Sequence, residues 1–120
     1  MRRRWRRWTV LVLAAVLLCA AGCPTLPQDP VQRERTLYLA AVDDYVAATQ
    51  IARDAARAGW IDAREAEEIK RWDRAIWSAL EAWRVCLIEE RPATDAMAAY
   101  SRALDELIDT LVEAEDNASG

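Results

Sequence analysis

From residue 30 onward, apolar residues return every three or four positions, the spacing of a helix with one buried side. In the first such stretch Leu37, Tyr38, Ala41, Val42, Tyr45, Ala48, Ile51, Ala52 and Ala55 share a face. Asp29-Pro30 supplies its start, an N-cap acceptor followed by proline at the first helical position, with Gln32 where a capping box places Glu or Gln. Ala58-Gly59 supplies its end, because glycine takes the left-handed backbone that closes a helix. The spacing predicts a helix over about 30–58.

Ile61-Asp62-Ala63-Arg64-Glu65-Ala66 reads as a second start. Asp62 can accept from the free amides, Glu65 can reach back, and Ile61 can staple against Ala66. Beyond it Ile69, Trp72, Ile76, Leu80, Trp83 and Leu87 form a tight stripe, and Arg91-Pro92 breaks the pattern, which predicts a helix over about 62–90. Thr94 or Asp95 offers a cap for a third helix over about 94–115, in which Met97, Tyr100, Leu104, Leu107, Leu111 and Ala114 alternate steps of three and four. The acidic stretch after it and residues 117–120 are expected to fray as a disordered tail. Short connections force neighbouring helices to run antiparallel. The expected fold is all-α: a small antiparallel three-helix bundle over 30–116, or an open hairpin with the third helix laid across it.

Upstream the pattern changes. Residues 1–22 set Arg2, Arg3, Arg4, Arg6 and Arg7 before an apolar run at 9–21, with the small residues Ala20, Ala21 and Gly22 just before Cys23. A basic region, an apolar stretch and small residues in that order make a cleavable signal peptide. The run is shorter than the roughly 20 residues that span a bilayer core. The arginines hold its start on the cytoplasmic side. Ala20-Ala21-Gly22-Cys23 resembles the lipobox of bacterial lipoproteins, which implies cleavage before Cys23 and acylation of its thiol. Cys19 follows Val16-Leu17-Leu18, whose bulk is wrong for that cut. Lipoboxes usually carry Leu three residues before the cysteine, where this chain has Ala20, so an ordinary secretory peptide ending at a cysteine stays open. Thr9 stands where a twin-arginine signal built on Arg6-Arg7 would want a large apolar residue. Residues 23–29 form the lipidated N-terminus and a semi-stiff tether marked by Pro24 and Pro27. Lipoproteins kept at the inner membrane of enteric bacteria typically have Asp at the next position. Pro24 stands there, which implies a periplasm-facing protein on the outer membrane.

Composition narrows the chemistry. At 120 residues the chain holds one small domain, and 53% hydrophobic residues with only 3 Gly and 4 Pro argue against an all-β fold and against disorder. Loss of the five leader arginines takes the formal charge from −4 to −9. Phosphate backbones and anionic headgroups repel such a surface, which excludes nucleic acid as a partner and leaves membrane attachment to acyl chains on Cys23. There is no His, so no His-based general base, triad or imidazole metal site exists, and 3 Cys are too few for a four-thiolate zinc site. No metal and no cofactor are expected. The carboxylates Asp43-Asp44, Glu65, Glu67-Glu68 and Glu89-Glu90 lie off the apolar stripes and read as a solvated face. Ser78, Ser101 and Ser119 lack a base, so the chain reads as non-catalytic. Cys86, on the flank of the second stripe, reads as a small buried hydrophobe, with an intermolecular disulfide as the alternative.

Of the four tryptophans beyond the leader, Trp72 and Trp83 belong to the core stripe. Trp77 sits about 100° from Ile76, at the edge of the stripe or exposed. Trp77 with Ile88 is therefore the candidate patch for an unknown protein partner. The layout resembles small lipoproteins encoded by tailed phages, prophages and their high-GC hosts. The residues that carry the likeness are Tyr38 and Tyr45, then Gly59-Trp60-Ile61-Asp62 with Ala66 and Ile69, then Leu104, Leu107 and Leu111. That resemblance implies a lipid-anchored interaction module of the cell envelope, serving lysis or exclusion of superinfecting phage. The alternative is a binder of a small apolar ligand, with a cavity bounded by Trp72 and Trp83.

Overall fold

The computed structural model describes residues 29–119, and these form three helices: α1 (Pro30–Arg57), α2 (Ala63–Ile88) and α3 (Thr94–Ser119). The expected signal peptide, the cleavage residues Ala20, Ala21 and Gly22, the acylation site Cys23 and most of the tether lie outside the described residues. Among the described residues no helix is long and apolar enough to cross a membrane.

Each helix begins where its local chemistry allows. Asp29 caps α1 in an extended conformation, its Oδ1 accepting from the Val31 amide at 3.1 Å, with Pro30 behind it. At α2 the capping box is complete. Glu65 N donates to Asp62 Oδ1 at 2.7 Å and Asp62 N donates to Glu65 Oε1 at 3.0 Å. The third helix corrects the expectation. Met97 N donates to the Ala93 carbonyl at 2.8 Å, so Ala93 holds the cap position, and Thr94 and Asp95 lie inside the first turn. Ala93 is 1% exposed, so burial rather than side-chain capping fixes that start.

Both connections close with the same pair of backbone bonds. After α1, Trp60 N donates to Ala55 O and Gly59 N to Ala56 O, with Gly59 at φ 76. After α2, Arg91 N donates to Cys86 O and Glu90 N to Leu87 O, with Glu90 at φ 55. The helix ends at Ile88, whose carbonyl Pro92, four positions on, has no N–H to bond and would crowd with its ring.

Interhelix pairs fix the directions. Tyr45 meets Asp73 and Tyr38 meets Trp83, so α1 and α2 are antiparallel. Trp83 meets Tyr100 and Glu65 meets Asn117, so α2 and α3 are antiparallel too. The result is an all-α up-down-up bundle. Ile76, Leu80 and Trp83 of α2 and Tyr100, Leu107 and Leu111 of α3 fill its centre, and α1 lays Ala41 and Ala48 onto them. Trp83, 3% exposed, holds Tyr38 and Tyr100 edge-on with ring centroids 5.6 and 6.0 Å away.

Two expectations fail at the far end of the bundle. Helix α3 does not fray at residue 117 but runs to Ser119. Asn117 Nδ2 donates to Glu65 Oε2 at 3.4 Å, and Ser119 Oγ donates to the Glu115 carbonyl at 2.8 Å. Glu65 also leaves the expected solvated face. It is 3% exposed, because its carboxylate serves the α2 cap on one oxygen and α3 on the other. Glu67, Glu89 and Glu90 are exposed as expected.

Candidate functional site

The face shared by α1 and α2 is where packing stays incomplete. Near its middle, Tyr45 reaches across from α1 and its hydroxyl donates to Asp73 Oδ1 at 2.6 Å. Burial, then the bond to Asp73, raises the Tyr45 phenol above its ordinary 10.0, so the donor stays protonated. The same ring meets Trp77 edge-on, centroids 6.5 Å apart and planes at 79°. Trp77 is thus held on one edge by a tyrosine whose own hydroxyl is tied down, while 59% of the residue faces water. Val46, next to Tyr45 in sequence, is 61% exposed, and Leu39, two turns earlier on the same side of α1, is 62% exposed.

Toward the α1–α2 connection the two helices meet through small residues. Ala52 and Ala56 of α1 oppose Ala66 and Ile69 of α2, Ile61 closes the end, and Leu107 of α3 forms the floor. Alanine facing alanine cannot fill the width that Tyr38 and Tyr45 fill elsewhere, and a cleft of about 430 Å³ remains. Its remaining lining is polar: Thr49 and Arg53 from α1, Lys70 and Asp73 from α2. Asp73 is engaged by Tyr45, and the Thr49 hydroxyl donates back to the Tyr45 carbonyl at 2.9 Å. Lys70 reaches Glu67 at 3.4 Å with both side chains mostly in water, a pair of little energy. Arg53 and Lys70 are the two cations of the rim.

Both residues expected to face a partner are exposed, Trp77 as above and Ile88 at 67%. They do not form one patch. Eleven residues separate them by about 16 Å along the helix, and the Arg84–Glu81 ion pair, 3.0 Å, lies between. Ile88 belongs to the opposite end, beside a smaller recess of about 220 Å³ lined by Val31, Leu87 and Pro92. The expected ligand cavity bounded by Trp72 and Trp83 is also displaced. Trp83 is packed into the core, Trp72 lies under the Arg71 guanidinium at 4.7 Å from its ring centre, and neither lines the cleft. Cys86 is half-buried against the core, a free thiol. Among the described residues no group of three His, Cys, Asp or Glu is placed to hold a metal ion.

Arg53, Lys70 and Asp73 carry no motif that a linear reading could find. The signal lay in register: once Tyr45 is paired with Asp73, the alanines at 52, 56 and 66 fall opposite one another. No protein-family model, curated protein or solved structure matches this chain.

Proposed function

We propose that this protein is a non-catalytic, lipid-anchored interaction module of the bacterial cell envelope, tethered by acyl chains on Cys23 and facing the periplasm. Its working surface is the α1–α2 face around Trp77. The observation that carries the reading is the state of that indole: 59% exposed, yet braced by Tyr45, which Asp73 holds in turn. A large aromatic side chain already fixed in place loses little entropy on binding, which is what a binding hot spot requires. Val46 and Leu39 add exposed apolar surface on α1. The lipobox-like Ala20-Ala21-Gly22-Cys23 supports the anchor, and the outer membrane is the favoured site because Pro24 follows the cysteine. Encoding by a phage or prophage, with a part in lysis or in exclusion of superinfecting phage, is the biological setting this reading favours.

A photo-crosslinking amino acid at position 77 of the full chain, produced in cells, tests the surface. One discrete adduct is expected from position 77 and none from exposed Arg102 on α3. Equal adducts from both positions, or none from 77, would sink the reading.

A further inference from the structure

The cleft between α1 and α2 has a shape and a charge pattern that the Trp77 surface does not use. Its volume of about 430 Å³ lies within the roughly 300–1,000 Å³ of small-molecule sites. Its walls are side chains of alanine, isoleucine and leucine, and its floor, Leu107, is 2% exposed. Open apolar surface of this kind gains free energy when an apolar body displaces water from it.

The rim sets the sign of the ligand. Arg53 and Lys70 approach from opposite helices, and in the antiparallel register set by Tyr45 and Asp73 they stand about five residues, roughly 7 Å, apart along the axis, a gap that their long side chains can span. The single carboxylate of the lining, Asp73, already accepts from Tyr45 and is the less available for a cation. Among the described residues the Lys70 ammonium has the weak, water-exposed contact with Glu67. A guanidinium and an ammonium over an apolar trough fit a ligand with an anionic head and an apolar body, since Arg presents a fork that matches carboxylate geometry. The net negative charge of the chain disfavours multiply charged anions, and the size of the cleft suits one apolar chain.

We propose that this cleft is a binding site for an amphipathic monocarboxylate, with its apolar chain against Ile61 and Ile69 over Leu107 and its carboxylate between Arg53 and Lys70. The proposal goes beyond the interaction-module reading and stands without it, because it concerns a different part of the same face.

The test uses the full chain in nanodiscs of zwitterionic lipid, with isoleucine δ1 methyl groups labelled for NMR and octanoate as the probe. Octanoate should shift the Ile61 and Ile69 methyls saturably while Ile76, 1% exposed in the core, stays still. Octylammonium and acetate should not. R53Q with K70Q should weaken octanoate binding about tenfold, the loss expected for charge-assisted contacts. Both residues are exposed, so this variant leaves the core untouched. A66L should fill the trough and abolish the shifts. If A66L loses helical content, the charge variant decides alone. Octanoate binding unchanged in R53Q/K70Q, equal binding of octylammonium, or no saturable shift would each overturn the proposal. An apolar protein side chain as the true occupant would show itself as binding indifferent to those two charges.

Discussion

Tyr100 ties α3 to α1 through one hydroxyl, donating to the Ala41 carbonyl at 2.9 Å in a buried setting. Burial pushes its phenol well above the ordinary 10.0, and the nearby charge of Asp44 adds to the effect. Tyr45 moves the same way. A phenol whose pKa is raised by folding lends stability that is whole below the unfolded value and is lost as pH climbs through the folded one. The urea midpoint should therefore stay level to about pH 9 and fall above about pH 10. Tyr100→Phe should cost about 1 kcal/mol at neutral pH and flatten that fall, and an unchanged alkaline slope would assign it to other groups. Asp44, raised above 3.8 by burial and then by Asp43, also binds its proton more tightly when folded. Its contribution is present below 3.8 and is lost as pH rises through the folded value, so Asp44→Asn should stabilise the neutral protein in the same titration. Trp83→Ala should cost about 3–5 kcal/mol. A loss below about 1 kcal/mol would mean that the stripe does not form the core. The large side chains of that core were legible because their spacing repeats. Ala79, Ala93, Ala96 and Ala103, all 9% exposed or less, were not, since alanine sits as readily outside a helix as inside it. Glu65 was misread for a different reason: its second partner, Asn117, comes from 52 positions away.

Helix ends show where local sequence suffices and where it does not. Gly59 announced the end of α1, and the left-handed φ of 76 is the conformation that glycine supplies without strain. Arg91-Pro92 announced the end of α2 to within two residues, but not the turn that makes it, because Glu90 takes the same conformation at φ 55 with a full side chain. The two positions should respond oppositely to exchange. Glu90→Gly should raise stability by about 1 kcal/mol, and Gly59→Ala should lower it by a similar amount. No atom lies within 4 Å of a Cβ built on Gly59, so the loss there would come from backbone strain alone. Denaturant midpoints of the two single variants and their combination check this, with the combination expected near wild type. A destabilising Glu90→Gly would show that the glutamate side chain contributes more than its backbone costs. Asp62 and Glu65 made the start of α2 readable three residues ahead, whereas α3 continues to Ser119 because it packs on α2, a contact no local pattern encodes.

At the scale of the molecule, charge and tether decide what the α1–α2 face can meet. Helix α3 sets Asp105, Glu106, Asp109, Glu113 and Asp116 against the single base Arg102, while α1 and α2 carry both signs in balance. An approaching acidic or lipid surface is repelled most strongly on the α3 side, which leaves the α1–α2 side as the open approach. If Cys23 carries the acyl chains, the seven positions to Pro30 reach at most about 25 Å, less than the 48 Å length of the bundle. Tyr45, which braces Trp77, lies about 22 Å along α1 from its start. On the lipid-anchored reading these lengths keep the indole within about 50 Å of the membrane, where a partner held at the same membrane meets it at high effective concentration. Two variants should therefore separate affinity from confinement. Cys23→Ala should abolish acylation by mass spectrometry and abolish the adduct formed from position 77 in cells, yet leave binding of the purified chain to the captured partner within about twofold, since no contact changes. Trp77→Glu, in a chain that is still acylated, should weaken the purified interaction by about thirtyfold or more, the effect of losing a hot-spot residue, with helical content unchanged. Acylation that persists in Cys23→Ala would remove the anchor from the account, and purified binding that survives Trp77→Glu would move the working surface elsewhere on the bundle.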